Sequence, residues 1–154
     1  MSSTSSNEPL SFVLFDTARL LRAAVEQAID AAGLEITPGE ARVLLNIDLL
    51  DIPRQTAIAD RMGIEPMTLS GYVDRLEAIG FVVREPDPDD RRAKIVRLTP
   101  SGETMVQAVR PVTRRLMEEI LAPLGSNGSD RLRDMIEPVR QSLRQRRGAG
   151  PAGR

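Results

Sequence analysis

The run from Gln55 to Thr99, QTAIADRMGIEPMTLSGYVDRLEAIGFVVREPDPDDRRAKIVRLT, decides how this chain folds. It opens on a short helical segment, Gln55 to Met62, with Ile58, Ala59 and Met62 inward and Gly63 as its stop. A small Ala four residues before a turn Gly lets two helices cross closely. Glu65-Pro66 starts a second helix. Leu69, Tyr72, Val73 and Leu76 share its inner face, and Met67, Thr68, Ser70, Gly71, Asp74 and Arg75 lie on the outer one. After Gly80, Phe81 to Arg84 reads as a strand, Glu85 to Arg92 as a Pro- and Asp-rich tip, and Lys94 to Thr99 as an alternating, half-buried strand. Two short helices around a tight turn, followed at once by a two-stranded ribbon, make a helix-turn-helix with a wing. The helix pair alone also suits a plain three-helix core; the hairpin with arginines at its tip favours the winged arrangement.

Upstream, Thr37-Pro38-Gly39-Glu40 carries a complete helix start: Thr37 as N-cap, Pro38 in the first helical position, and Glu40 reaching back to close a capping box. That helix runs to about Leu50, and Pro53 prevents its continuation. Earlier still, Leu10 to Ala32 repeats apolar residues at three- and four-residue spacing, and Phe12, Val13, Phe15 and Ile29 widen the stripe. Two partners fit so broad a stripe, the chain's own core or a second subunit. Gly33 ends the helix.

Downstream, Thr99-Pro100 caps a helix with Met105, Ala108, Val109, Val112, Leu116 and Ile120 on its apolar face and a kink or break expected at Pro111. Pro123 and Gly125 to Ser129 read as a loop. A last helix holds Leu132, Met135, Ile136, Val139 and Leu143, with Pro138 inside it, and the basic, Gly- and Pro-rich end from Arg144 reads as a mostly disordered tail. Asp89 or Asp90 beside Arg91 and Arg92 suggests a local ion-pair cluster that shapes the wing tip.

Composition narrows the chemistry. The 154 residues suffice for one compact domain with added helices, and 41% hydrophobic with 28% charged residues is a globular balance. There is no Cys and no His, which removes thiolate nucleophiles, thiol redox switches, Cys-ligated metals and the commonest general base. The carboxylates are scattered or clustered in the Asp87 to Asp90 loop rather than paired in a cleft, so neither an enzyme nor a metal site is expected, and no cofactor. No window approaches the roughly 18 to 20 apolar residues of a membrane span, and Met1 to Glu8 lacks the features of a signal peptide, so a cytoplasmic protein is expected. A formal net charge of −1 gives no global nucleic-acid signature; local placement must carry it. Every one of the 21 basic residues except Lys94 is Arg, the residue suited to bidentate contacts.

From about Thr37 to Gly102 the sequence resembles the MarR (multiple antibiotic resistance regulator) family of winged-helix transcription factors. The most specific piece runs from Asp87 to Gly102, DPDDRRAKIVRLTPSG, similar to that family's wing: an Asp-x-Arg at the tip and a strand ending Leu-Thr-x-x-Gly. Val73-Asp74-Arg75-Leu76-Glu77 with Gly80 resembles the end of its recognition helix.

The resemblance implies a mainly α fold with a small β-hairpin wing (α+β). Residues 37–102 would form the DNA-binding winged helix, 10–36 and 103–146 the helical dimerisation region of an obligate homodimer, and 1–9 and 147–154 disordered tails. It further implies double-stranded DNA as partner and a small aromatic or anionic effector. Met67, Thr68, Ser70 and Gly71 then map to the major groove and Arg75 to a phosphate or base. Arg92 maps to the minor groove with Asp90 bracing it, Arg91 and Lys94 map to the backbone, and Arg54, Gln55 and Thr56 to a phosphate. Phe12, Phe15 and Arg42 are candidates for the effector site. Gly71 stands where many members carry a basic residue, which shifts the expected readout toward the wing and DNA shape. The rival expectation is a winged-helix interaction module without DNA binding.

Overall fold

The computed structural model of the protein describes residues 8–90 and 92–148. In order it contains α1 (Leu10–Ala31), α2 (Pro38–Leu49), α3 (Gln55–Met62), α4 (Pro66–Ala78), β1 (Val82–Pro86), β2 (Lys94–Leu98), α5 (Pro100–Leu121), a 3-10 turn (Ala122–Leu124) and α6 (Gly128–Gly148). Two compact units divide the chain, Met1–Leu116 and Met117–Arg154. The fold is mainly α with one antiparallel hairpin, as expected.

The first unit is built around α2, which packs on α1, α3 and α4. The capping box forms as read: Glu40 N donates to Thr37 Oγ1 at 3.3 Å, and Thr37 N donates to Glu40 Oε2 at 2.7 Å. Below it, Ala41, Val43, Leu44 and Ile47 meet Ile58, Ala59 and Met62 of α3 and Leu69, Val73 and Leu76 of α4, all buried. Gly63 makes the turn between α3 and α4 with φ +65, a conformation costly for a residue with a Cβ, and Ile64 N returns to Ala59 O at 3.1 Å. Gly80, at φ +80, ends α4 the same way, with Phe81 N on Leu76 O at 2.9 Å.

The wing is joined at both ends. β1 and β2 pair in the register Val82↔Leu98 to Pro86↔Lys94. β2 also pairs with the chain leading into α3, through an Arg54↔Ile95 bridge and Val96 N on Pro53 O at 3.0 Å. At the base, Thr99 Oγ1 donates to Gly80 O at 2.6 Å and accepts from Gly102 N at 3.1 Å. A Cβ on Gly102 would stand 2.0 Å from Phe81 O, so the Leu-Thr-x-x-Gly ending of the wing is fixed by a backbone-to-backbone contact.

Several expectations are corrected. Helix α5 runs unbroken through Pro111, and α6 contains Pro138 in its interior as expected. Both prolines, and Gln107 and Asp134 whose carbonyls they leave without a helical donor, are exposed, so water can satisfy those groups. On α5, Val106 is buried and Ala108 exposed. β2 buries both Ile95 and Val96 rather than alternating strictly, because it is paired on both edges there. Helix α6 starts at Gly128 and continues to Gly148, so Arg144–Gly148 is helical. The rest of the expected tails, residues 1–7 and 149–154, lies outside the described residues.

Candidate nucleic-acid interface

Helix α4 presents a neutral first half. Met67 is 82% exposed, Thr68 and Gly71 are exposed, Ser70 is half-buried, and Gly71 has nothing within 4 Å of where a Cβ would stand. Glu65 precedes the helix without a side-chain cap bond, so the first-turn N–H groups are uncapped. Such a face, free of long charged side chains, can approach another surface closely. At the start of α3, Thr56 is exposed while Arg54 and Gln55 are half-buried.

The charged residues around this face are mostly engaged with one another. Arg54 Nε donates to Asp87 Oδ2, with Asp89 Oδ2 further off at 3.8 Å from Arg54 Nη2. The Asp87 side chain is only 1% exposed, and its other oxygen accepts from Asp89 N at 2.9 Å. The Arg54 hydrogen bond, then that backbone N–H, hold the Asp87 carboxyl below its ordinary range despite burial. Asp87 raises the Arg54 guanidinium in turn. Among the described residues the ion pair at the wing tip is therefore Asp87 with Arg54 of the preceding helix start, and Arg92 pairs with neither Asp89 nor Asp90.

Arg75 reaches across to α2 and pairs with the buried Glu40, Nε to Oε1 at 2.8 Å. The capping-box carboxylate thus has two uses, closing α2 with one oxygen and holding α4 with the other. Tyr72 packs beside it over Gly39, where a Cβ would stand 2.5 Å from the ring.

Arg84 of β1 has the largest set of partners. Nη2 lies 2.5 Å from Asp74 Oδ1 and 3.4 Å from Ser70 O, Nη1 2.6 Å from Glu77 Oε2, and Nε 3.2 Å from Gln55 Oε1. Its own N–H donates to Glu77 Oε1 at 3.1 Å. Arg97 pairs with Glu85 across the hairpin at 2.7 Å.

At the wing tip, Asp90 Oδ1 accepts from Arg92 N at 2.9 Å, so Asp90 holds the backbone of the turn, and Arg92 is exposed. Arg92 and Lys94 form no ion pair among the described residues. Arg91 lies outside the described residues.

Of the expected positions, the structure brings Met67, Thr68 and Gly71 onto one exposed face of α4 and places Arg92 and Lys94 on an exposed hairpin. Arg54, Gln55 and Arg75 are tied to internal partners. Arg84, Asp87 and Glu40 are the residues that sequence reasoning did not single out as part of this site. Period-2 alternation held the signal for Arg84, since it shares a strand face with the buried Val82, and a charge on that face requires partners.

The effector candidates are separated. Phe15 lines an open cleft of about 470 Å³ along α1 with Ala18, Arg19, Arg22, Ala23 and Glu26. Phe12, 61% exposed, and Arg42, which donates from Nη2 to Met62 O at 3.2 Å, do not line it.

A helix-turn-helix braced to a two-stranded wing is the architecture of a winged-helix protein. Residues 36–94 match the MarR family. Solved structures extend the likeness over nearly the whole chain. Apo MarR from E. coli is 20% identical, with 88% of this chain and 98% of that one covered at a TM-score of 0.73. CouR from Rhodococcus jostii RHA1, bound to p-coumaroyl-CoA, is 25% identical, with 89% and 95% covered at 0.69. A MarR transcriptional regulator from Methanosarcina mazei Go1 is 18% identical, with 88% and 96% covered at 0.74. Among the described residues no helix is long and apolar enough to cross a membrane, and no group of three or more acidic residues could hold a metal ion.

Proposed function

We propose that the protein is a dimeric transcription regulator, a repressor, that binds a pseudopalindromic DNA operator through residues 37–102 and is released by a small molecule. The observation that carries this reading is the pairing of a neutral, exposed α4 face with an exposed Arg92 whose side chain has no ion-pair partner among the described residues. Helix α4 enters the major groove with Met67, Thr68, Ser70 and Gly71, where Met67 meets a thymine methyl and the hydroxyls meet base edges or phosphates. Arg92 enters the minor groove, and Lys94, Arg91 and Thr56 meet the backbone. Half-sites lie about one helical turn, roughly 10 bp, apart.

A second copy of the chain is supported by apolar surface left uncovered. On α1, Leu10 and Phe15 are 72% and 74% exposed; on α6, Met135 and Leu143 are 72% and 62% exposed. Large apolar side chains grouped on one helix mark a protein interface, so residues 10–36 and 103–146 are assigned to dimerisation. The effector is assigned to the aromatic or anionic class, since Phe15 stands in the α1 cleft with Arg19 and Arg22, and Phe12 and Arg42 remain candidates for its wall. It acts by binding one spacing of the two α4 helices better than the other.

Selection of bound duplexes from a random pool, followed by titration of the selected duplex across a salt series, tests the reading. Affinity is expected to fall with salt, and Arg92→Ala to weaken it at least tenfold. Binding indifferent to both salt and the substitution overturns the DNA assignment. Sedimentation tests the dimer separately: a stable folded monomer at micromolar concentration refutes it.

A further inference from the structure

The second half of α4 carries Asp74 and Glu77 three residues apart, with side chains 66% and 41% exposed, on the helix assigned to the major groove. Two carboxylates there repel phosphates, and the one cation on the same turn, Arg75, is already paired with Glu40. Arg84 meets half of that deficit from the neighbouring strand. It places one guanidinium nitrogen against each carboxylate, Nη2 at 2.5 Å from Asp74 and Nη1 at 2.6 Å from Glu77. Its Nε bonds Gln55, and Nη2 also approaches Ser70 O. A guanidinium has five N–H donors, and four contacts to internal acceptors leave no edge free for a bidentate phosphate grip. The side chain is only 18% exposed, so this basic residue of the wing is committed inward.

We infer that Arg84 is the built-in counter-ion of the recognition helix: its one positive charge, shared between Asp74 and Glu77, halves their negative charge so that α4 can approach the DNA backbone, without touching DNA itself. This rests on the DNA-binding reading given above. The carboxylates in turn hold Arg84, and through it β1, against α4, which couples the wing to the helix it works beside.

The test compares the unaltered protein with Arg84→Gln, Asp74→Asn/Glu77→Gln and the triple variant, titrated against the duplex selected from a random pool, with thermal melts to show that each is folded at the assay temperature. Arg84→Gln is expected to weaken binding at least tenfold, and the triple variant to return to within about threefold of the unaltered protein, because the charges that needed neutralising are gone. A triple variant as weak as Arg84→Gln, or an Arg84→Gln variant that binds normally, overturns the inference. Arg84→Lys, the milder change, supplies a second criterion should Arg84→Gln not fold. It keeps the positive charge and is expected within about threefold, whereas a tenfold loss would show that more than the charge is at work and also overturn the inference. Failure of the unaltered protein to select any duplex overturns the DNA-binding reading and this inference with it; binding by the unaltered protein together with either adverse result removes this inference alone.

Discussion

Gly71 offers a direct test of whether the middle of α4 is kept clear for close approach. It sits in the interior of a 13-residue helix, is exposed, and has nothing within 4 Å of a built Cβ. Glycine in a helix interior is less favourable than alanine by about 0.8 to 1 kcal/mol, and here no steric term offsets that difference. Gly71→Ala is therefore expected to stabilise the protein by about 1 kcal/mol, which for a chain of this size raises Tm by roughly 2 to 4 °C. The assay is a far-UV circular dichroism melt at fixed protein concentration, since the proposed dimerisation would make Tm concentration-dependent. Gly63→Ala is the control. Its φ of +65 reverses the sign, with an expected loss of about 1 kcal/mol. A Gly71→Ala variant that melts at or below the unaltered protein refutes the reasoning, because it means the site is strained or occupied in a way the fold does not show. Gly71→Arg extends the test to function. On the proposed DNA-binding reading it adds a cation to the major-groove face, and the slope of log K against log salt is expected to steepen by about one phosphate contact.

Three further outcomes follow from the fold. Glu40→Ala removes both the capping-box acceptor and the partner of Arg75 and is expected to cost about 2 kcal/mol, whereas Glu40→Gln keeps an acceptor for Thr37 N and is expected to cost less than about 1, since Arg75 is largely exposed; equal losses in chemical denaturation contradict this division. Gly102→Ala drives a Cβ toward Phe81 O at 2.0 Å and is expected to cost at least about 2 kcal/mol, so a Tm unchanged from the unaltered protein refutes the close contact. The Asp87 carboxyl is held low when folded, so the unfolded chain takes up the proton first as pH falls. Its stabilising contribution is thus complete above the ordinary carboxylate range, near pH 4, and is lost as pH drops through the depressed folded value. Melts taken at decreasing pH should show a steeper decline for the unaltered protein than for Asp87→Asn, and parallel declines rule the linkage out.

Elements whose ends are set by local chemistry were legible in the sequence. The Thr37 capping box, the stops at Gly63 and Gly80, and the Thr99-Pro100 start all fall where backbone rules place them, and the apolar stripes of α2, α3 and α4 follow from periodicity. The break allowed for at Pro111 does not occur because a proline's cost to a helix depends on whether the freed carbonyl meets water, which the sequence does not record. The pairing of charges was the least legible feature. Arg75 stands next to Asp74 and two residues from Glu77, yet its partner is Glu40, 35 positions earlier. Asp87 answers to Arg54, at |i−j| = 33. Charge partners are chosen by which elements cross, and that is settled only when α2, α4 and the wing have packed.

Those pairings also explain how a chain of formal charge −1 can be read as binding DNA. In the winged helix, Arg54, Arg75, Arg84 and Arg97 each face a carboxylate, namely Asp87, Glu40, the Asp74 and Glu77 pair, and Glu85. Such pairs cancel in the far field and hold the lobe together, so a net-charge count hides the cations that stay uncommitted. Among the described residues Arg61, Arg92 and Lys94 are of that second kind, the last two on the hairpin. A lobe that meets phosphates with so few free cations releases few counterions per half-site. Its affinity must then depend more on the fit of the neutral α4 face and on the narrowness of the minor groove under Arg92 than on bulk attraction. Operators selected by this protein should accordingly show A·T-rich sequence beneath the wing, while the positions facing Ser70 and Gly71 tolerate more than one base pair.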